Sequence, residues 1–269
     1  MALLSPVTWL NVVARLAGGY DVTTDLAYAA GPRQRLDIYR PAEGYACSPV
    51  IVFFYGGGWE GGDKAMYRFV AAALANRGFT VAVPDYRVHP EARFADFMDD
   101  AARAVAFVRE RLEAPVTLVG HSAGAHIAAM LALDRAWLGR YGLSPDRCVA
   151  ALVGLSGPYD FLPLTSPTLQ RIFGPPAGLA ATQPISFARA DAPPAFLATS
   201  RRDSVVDPGN TERLAAAIRS RGGVVESRIY DRLSHETTIG AFSPPLGLLG
   251  PVLHDVTGFI RRHVKLRGK

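Results

Sequence analysis

Gly120-His121-Ser122-Ala123-Gly124 is the stretch of sequence that decides the fold. It follows an apolar run at 115–119 and precedes an alanine-rich run at 126–132. This pattern predicts a strand, a sharp turn and a helix, with Ser122 at the apex of the turn. The small flanking residues allow the backbone to turn tightly. A serine hydroxyl becomes a useful nucleophile when it is exposed beside a base, so the turn indicates nucleophilic catalysis.

Apolar runs alternate with helical patterns along the rest of the chain, which predicts a mostly parallel sheet flanked by helices. The run at 49–55 is continuously apolar, as buried central strands are, and the alternating run at 35–39 indicates an edge-like strand. The strands are predicted at 35–39, 49–55, 79–83, 115–119, 148–155, 195–199 and 224–230. Besides the helix after Ser122, helices are predicted at 66–77, 97–112, 210–221 and 251–263. The fold class is therefore α/β.

The domain organisation follows from length and from two irregular segments. A chain of 269 residues can bury a large core, and we expect a single α/β domain over 1–269. An amphipathic pattern at about 1–20 predicts a helix that packs on the domain or covers part of the substrate entrance. The regular alternation stops at about 157–194, where eight prolines predict a small irregular cap.

Composition argues against several classes of protein. The net charge of +5 comes from 26 arginines and 3 lysines, and the basic residues at 261–269 fit a solvated helix end. Basic and aromatic residues do not interleave along a plausible groove, so no nucleic-acid partner is expected. Cys47 and Cys148 have neither the number of a disulfide framework nor the spacing of metal ligands, so no metal site is predicted.

The amino-terminal segment bears on localisation. Residues 1–17 lack a basic start and a cleavage site, and the apolar run is too short to span a bilayer. These features predict a cytoplasmic protein without stable membrane insertion, with peripheral membrane association as an alternative. The sequence leaves the oligomeric state open.

The catalytic base is expected beyond the last strand. His235 follows the strand that ends at Tyr230, at the carboxyl edge of the sheet where α/β proteins place ligands. His121 lies in the turn itself and is too constrained to serve Ser122. The other histidines fit a core position, a loop or the last helix, and they are His89, His126, His254 and His263.

Two carboxylates could orient the base. Asp203 and Asp207 both follow the strand at 195–199, and Asp203 is favoured because it lies nearer the strand end. Asp207 precedes Pro208 and fits a turn or a helix start instead. The order of serine, aspartate and histidine is the one expected for this fold.

The oxyanion hole and the substrate pocket have candidates near the central strand. Three glycines follow that strand, and the main-chain N–H groups of Gly57, Gly58 and Ala123 are the predicted oxyanion donors. The pocket is predicted to use Trp59, Tyr159 of the cap, and Phe242 of the apolar loop at 239–246. Ordinary core packing is the alternative interpretation of that loop.

These residues resemble the α/β-hydrolase superfamily, and within it the carboxylesterase branch related to hormone-sensitive lipase and the feruloyl-esterase-like bacterial esterases. The resemblance covers the chain from about Asp25 to its end. The motifs that carry it are Leu36-Asp37-Ile38-Tyr39-Arg40-Pro41, Tyr55-Gly56-Gly57-Gly58-Trp59 with Gly62-Asp63-Lys64, Asp85-Tyr86-Arg87, the Ser122 turn, Ser156-Gly157-Pro158-Tyr159-Asp160, Asp203 and His235.

The chain departs from that family at three points. Tyr55 stands where those esterases often have histidine, at a position that usually braces the oxyanion loop. Thr199-Ser200 stands where the family often has His-Gly, and the following Arg201 and Arg202 are expected to lower the pKa of Asp203, with an anionic substrate as the alternative. The short amino-terminal segment implies a small or open acyl pocket.

The sequence thus predicts a serine carboxylesterase that hydrolyses small carboxylic esters through a Ser122–His235–Asp203 triad and an acyl-enzyme intermediate, without a cofactor. An arylformamidase-like amidase is the first alternative, and a lipase acting at membrane surfaces is another. A binding protein on a hydrolase scaffold that has lost catalysis is a third alternative, and it would normally lack a triad residue.

Overall fold

The computed structural model describes residues 6–42, 48–175 and 177–264. Its strands are β1 (Tyr20–Ala27), β2 (Arg35–Pro41), β3 (Val50–Phe54), β4 (Thr80–Pro84), β5 (Val116–His121), β6 (Val149–Leu155), β7 (Ala195–Ser200) and β8 (Val225–Tyr230). They form one eight-stranded sheet in the order β1-β2-β4-β3-β5-β6-β7-β8. Strand β2 is antiparallel to both of its neighbours, and β3 to β8 run parallel. The carboxyl ends of these six strands therefore meet at one edge of the sheet.

Helices flank this sheet. They are α1 (Pro6–Ala17), α2 (Arg68–Ala75), α3 (Phe94–Leu112), α4 (Ala123–Leu133), α5 (Arg135–Gly139), α6 (Pro145–Cys148), α7 (Pro167–Phe173), α8 (Gly209–Ser220), α9 (His235–Gly240), α10 (Pro244–Gly247) and α11 (Val252–His263). Every residue of β3, β4, β5 and β7 is buried, so both faces of the central sheet are covered. Every residue of α4 is buried as well, which places the helix after Ser122 in the core. The predicted α/β class is confirmed.

The amino-terminal part of the sheet differs from the prediction. The sequence indicated an edge-like strand at 35–39, but β1 is the edge strand and covers β2. Most of β1 is exposed, so it carries no apolar alternation that would have revealed it. The helix predicted at about 1–20 is α1, which ends at Ala17, and residues 1–5 lie outside the described ranges.

Helix α1 packs on the domain through Asn11. The Asn11 amide donates hydrogen bonds to the carbonyl oxygens of Ala65 and Met66, and its oxygen accepts one from the N–H of Phe69. The helix therefore covers the start of α2 and the turn before it. Within the described part of the chain, no helix has the length and apolar character needed to cross a membrane.

The segment at 157–194 has the irregular form that its prolines indicate. Apart from residue 176, which is not described, it contains α7 and two 3-10 turns, Leu179–Thr182 and Pro184–Phe187, and no strand. His126 of α4 holds this cap through a 2.8 Å hydrogen bond from Nε2 to the Thr182 carbonyl oxygen. Cys148 is a buried free thiol, whereas Cys47 and residues 265–269 lie outside the described ranges.

Candidate active site

Ser122 occupies a strained turn between β5 and α4. Its φ of 55° and ψ of −124° lie in a region that residues with a side chain rarely adopt. The turn is possible because its glycines approach neighbouring backbone closely. A Cβ on Gly120 would lie 2.2 Å from the Gly124 carbonyl oxygen, and a Cβ on Gly124 would lie 2.1 Å from that of Phe54. The backbone therefore fixes the position of the serine.

The structure pairs His235 with Asp203. Strand β8 leads to Ser234, which caps α9, and His235 is the first residue of that helix. The His235 Nδ1 lies 2.9 Å from Asp203 Oδ2 and 3.0 Å from Oδ1. Both side chains are buried, and Asp203 Oδ1 also accepts the N–H groups of Val205 and Val206. The carboxylate is thus held in place and can accept a hydrogen bond from Nδ1–H of His235.

The surroundings of Asp203 keep it ionised. Burial raises the pKa of this carboxyl, but the hydrogen bond from His235, the Val206 N–H and the nearby Ser156 hydroxyl together hold the pKa below its usual value. These groups account for the lowering, rather than the two arginines that the sequence suggested. Arg201 forms an exposed ion pair with Asp231.

Asp207 has the local role that the alternative interpretation gave it. Its Oδ1 accepts the N–H of Gly209 at the start of α8, and its Oδ2 pairs with Arg213 at 3.2 Å. The side chain is largely exposed and makes no contact with His235 among the described residues. Of the two candidate acids, the geometry therefore joins Asp203 to the histidine.

Ser122 is connected to this pair through the residue before it. The His121 Nε2 lies 3.0 Å from the His235 carbonyl oxygen, and the centroids of the two imidazole rings are 4.8 Å apart. Within the described residues, the Ser122 hydroxyl donates no hydrogen bond to the His235 ring. Such bonds are often long in a free enzyme and tighten around substrate. The structure brings the three predicted triad residues to the same edge of the sheet.

The glycine-rich loop after β3 presents free N–H groups. Gly57 and Gly58 have positive φ values of 139° and 63°, and a Cβ on Gly57 would lie 2.2 Å from the Gly61 carbonyl oxygen. Within the described ranges, neither glycine donates its N–H to a protein acceptor, and both are exposed. The N–H of Ala123 is in the first turn of α4, where helical N–H groups lack an intrahelical acceptor. These three groups can serve as hydrogen-bond donors to an anion.

Tyr55 braces this loop from below. Its hydroxyl donates to Asp85 at 2.8 Å and accepts from Arg33 at 3.0 Å, and its carbonyl oxygen accepts from the Tyr86 hydroxyl at 2.7 Å. Asp85 also accepts the N–H of Lys64 at 2.7 Å, which ties the far end of the loop to the same carboxylate. Burial raises the pKa of the Tyr55 phenol, so it stays a neutral donor.

The three predicted substrate-pocket residues are all buried. Tyr159 is fully inaccessible, Phe242 is 1% exposed and Trp59 is 5% exposed. The Trp59 ring stacks on Phe161 at 5.9 Å and meets Phe173 edge-on at 4.9 Å, so the cap encloses it. Core packing accounts for all three positions, and their contact with substrate stays a prediction.

A cavity of about 900 Å³ lies away from these residues, at the amino edge of the sheet. Its lining includes the starts of β3, β4 and β6, at Val50, Thr80 and Val149. It is therefore on the side opposite to the candidate triad. Within the described residues, no group of three or more His, Cys, Asp or Glu side chains could hold a metal ion.

A comparison with known protein families gives a match over most of the sheet. The BD-FAE family matches residues 36–218, which is more than half of the chain. The chain belongs to the BD-FAE family. The matched region includes Ser122 and Asp203 and ends before His235.

Several proteins with assigned names resemble this BD-FAE chain. It is 37% identical to isoprenylcysteine alpha-carbonyl methylesterase of Arabidopsis thaliana over 172 residues, which are 61% of this chain and 40% of that protein. It is 32% identical to kynurenine formamidase of Salmo salar over 60% of this chain and 55% of that protein. Esterase LipC of Mycobacterium tuberculosis is 28% identical over 74% of this chain and 56% of its own length. The chain thus spans about half the length of these relatives or less.

Solved structures establish the fold of this BD-FAE member as that of the α/β hydrolases. A truncated carbohydrate esterase from gut microbiota superposes with a TM-score of 0.79, at 21% identity, over 91% of this chain and 97% of that one. The apo form of Thermogutta terrifontis esterase 2 gives a TM-score of 0.75, at 24% identity, over 93% of this chain and 97% of that one.

Three polar residues beside the candidate triad, Ser200, His121 and Ser156, make contacts that the sequence analysis did not predict. The Ser200 hydroxyl donates a hydrogen bond to the carbonyl oxygen of Leu233, and His121 donates one to that of His235, so both hold the segment that carries His235. Ser156 has a φ of 49° and lies buried near Asp203. The signal for Ser200 was its departure from the His-Gly pattern of the family. His121 and Ser156 stand in motifs that the sequence analysis quoted, but their contacts could not be predicted because the partners are distant along the chain.

Proposed function

We propose that this protein is a serine carboxylesterase that hydrolyses small carboxylic esters through an acyl-enzyme. The observation that carries the proposal is the buried His235–Asp203 pair, 2.9 Å apart, at the same sheet edge as the strained Ser122. The exposed N–H groups of Gly57 and Gly58 on the neighbouring loop add support. Membership of the BD-FAE family and the esterase names of several relatives agree with this chemistry.

In the proposed first step, Ser122 Oγ attacks the ester carbonyl carbon and its proton moves to His235 Nε2. Asp203 accepts the hydrogen bond of Nδ1–H, which fixes the tautomer and stabilises the imidazolium. The carbonyl oxygen becomes an anion that the N–H groups of Gly57, Gly58 and Ala123 bind. Each such donor contributes about 2.7–4 kcal/mol to transition-state stabilisation.

In the proposed second step, the alcohol leaves with the proton from His235, and the acyl group stays on Ser122. Water then attacks the acyl carbon while His235 accepts its proton, and the acid product leaves as the serine proton returns. Both steps use the same oxyanion donors. The reaction requires no electron transfer and no co-reactant besides water.

The Ser122→Ala variant tests the proposal. We expect kcat for p-nitrophenyl acetate to fall by about 10⁶ with an unchanged circular dichroism spectrum. The wild-type protein should release a stoichiometric burst of p-nitrophenol, which a pure binding protein would not. A variant rate within tenfold of wild type would show that another group is the nucleophile.

A formamidase is the second candidate, because the chain is 32% identical to the kynurenine formamidase of Salmo salar over 60% of its length. The same residues could cleave a formyl amide, since His235 can protonate an amine leaving group. Matched rates on an aryl acetate, an aryl formate and the corresponding formanilide decide between the two. A higher kcat/KM for the formanilide than for both esters would favour the amidase.

A further inference from the structure

His121 makes a direct link between the strand of the nucleophile and the loop of the base. Strands β6 and β7 lie between β5 and β8 in the sheet, yet His121 at the end of β5 reaches His235 beyond β8. The contact is a 3.0 Å hydrogen bond between His121 Nε2 and the His235 carbonyl oxygen. Because a carbonyl oxygen only accepts, Nε2 carries the proton.

The His121 ring is a permanent donor in this position. Burial, together with the nearby His235, lowers its pKa to about 3, although the His235 carbonyl, Asp203 and Glu236 oppose this. The ring therefore stays neutral throughout the pH range of an esterase assay. Its Nδ1 has no hydrogen-bond partner among the described residues and faces Gly56, where an added Cβ would lie 3.2 Å away. The ring is therefore unsuited to act as a general base.

We infer that His121 is a positioning residue: it fixes the main chain of His235 so that the imidazole faces Ser122 while Nδ1 stays on Asp203. The inference rests on the proposed function. Asp203 holds the His235 ring at one atom only, and a ring held at one atom can still move with its backbone. Ser200 holds the same loop two residues earlier, at Leu233. The hydrogen bond from His121 fixes the loop at His235 itself.

His126 offers a matched comparison five positions away. It is also fully buried and neutral, with Nε2 bonded to a main-chain carbonyl oxygen and Nδ1 without a partner among the described residues. Burial lowers its pKa to about 4. However, its carbonyl partner is Thr182 in the cap rather than the base. A substitution at either histidine therefore removes a buried ring and one hydrogen bond to a main-chain carbonyl oxygen, but at a different place in the fold.

The experiment compares glutamine with asparagine at each position. The Nε2 of glutamine can reach the place of imidazole Nε2, whereas the shorter asparagine amide stops near the place of Nδ1. We expect His121→Asn to lower kcat for p-nitrophenyl acetate by about 10–100-fold with KM changed less than about threefold, since a displacement near 1 Å costs that much. We expect His121→Gln to retain kcat within about fivefold of wild type.

The same comparison at the control position should give equal kcat for His126→Gln and His126→Asn. Equal kcat values for the two His121 variants, with native circular dichroism, would overturn the inference, and so would a glutamine variant that folds but loses activity. If His121→Asn does not fold, the glutamine variant alone decides, because it must keep the rate.

A spectroscopic measurement separates this inference from the proposed function. The downfield proton resonance of His235 Nδ1–H, held by Asp203, should persist in wild type and His121→Gln and broaden in His121→Asn. This signal does not depend on turnover, so a wild-type protein without esterase activity refutes the proposed function alone. A resonance that is unchanged in the asparagine variant refutes the positioning role.

Discussion

Replacing Gly124 with alanine is a direct test of the backbone that presents Ser122. The added Cβ would lie 2.1 Å from the Phe54 carbonyl oxygen and 2.5 Å from that of Tyr55. Both atoms belong to the main chain at the end of β3, so no side-chain rotation relieves the contact. Either the start of α4 or the end of β3 must move.

The size of the movement sets the size of the effect. Raising the 2.1 Å contact to an ordinary one of 3.4 Å or more requires a shift of roughly 1 Å between the serine turn and the strand that leads to Gly57. Under the proposed function, a displacement of this size separates Ser122 from the candidate oxyanion donors. We therefore expect kcat to fall about 10²-fold, or about 2.7 kcal/mol of transition-state stabilisation.

The assay is steady-state hydrolysis of p-nitrophenyl acetate, with thermal unfolding measured on the same samples. Gly139→Ala is the matched control, because its added Cβ would meet nothing within 4 Å at the end of α5. The control should keep its rate within about twofold, since surface changes of this kind are close to neutral. A Gly124→Ala protein with native folding and the wild-type rate would refute the argument from close approach.

Three further predictions follow from the contacts of single residues. Asp203→Asn should lower kcat by about 10⁴, whereas Asp207→Asn should stay within a few-fold; the opposite order would reverse the choice of acid. The buried His126 has a pKa of about 4, against 6.5 in the unfolded chain. Between these two pH values the unfolded state binds a proton at this residue and the folded state does not. As the pH falls from 6.5 to 4, this residue should therefore lower the free energy of unfolding by roughly 3 kcal/mol. In urea unfolding, the free energy of unfolding of His126→Gln should depend less steeply on pH than that of wild type. Tyr55→Phe removes the phenol from half-buried Asp85 and should lower the free energy of unfolding by about 1–3 kcal/mol; an unchanged urea midpoint would contradict this.

The parts that the sequence predicted well carry local patterns. The run before Ser122 and the alanine-rich run after it are fully buried in β5 and α4, and such elements have a strong apolar signal. The contact of His235 with Asp203 was predictable because both residues follow strand ends in the expected chain order, and their catalytic roles stay a prediction. Asp203 was separable from Asp207 because only the latter precedes a proline at a helix start. These inferences need no knowledge of distant contacts.

The parts that the sequence missed depend on contacts across the fold. Strand β1 is mostly exposed, and its pairing with β2 rather than an apolar pattern makes it a strand. The cap residues Phe161 and Phe173 enclose Trp59, and no local pattern in the sequence indicated these contacts. A contact between Trp59 and substrate stays a prediction. Arg201 and Arg202 neighbour Asp203 in the sequence, yet His235, Val206 and Ser156 account for its lowered pKa. Proximity along the chain was a poor guide to contact at this edge of the sheet.

Backbone strain also concentrates at this edge, where it has a structural cause. Of the five described non-glycine residues with positive φ, three follow strands of the central sheet: Trp59 after β3, Ser122 after β5 and Ser156 after β6. Each such conformation costs of order 1–3 kcal/mol and persists only where its surroundings enforce it. The fully buried strands β3 and β5 supply that constraint, because they cannot shift without disrupting the core. The rigidity of the central sheet thus holds the strained edge in place, and with it the relative positions of the glycine-rich loop after β3, Ser122 and Asp203.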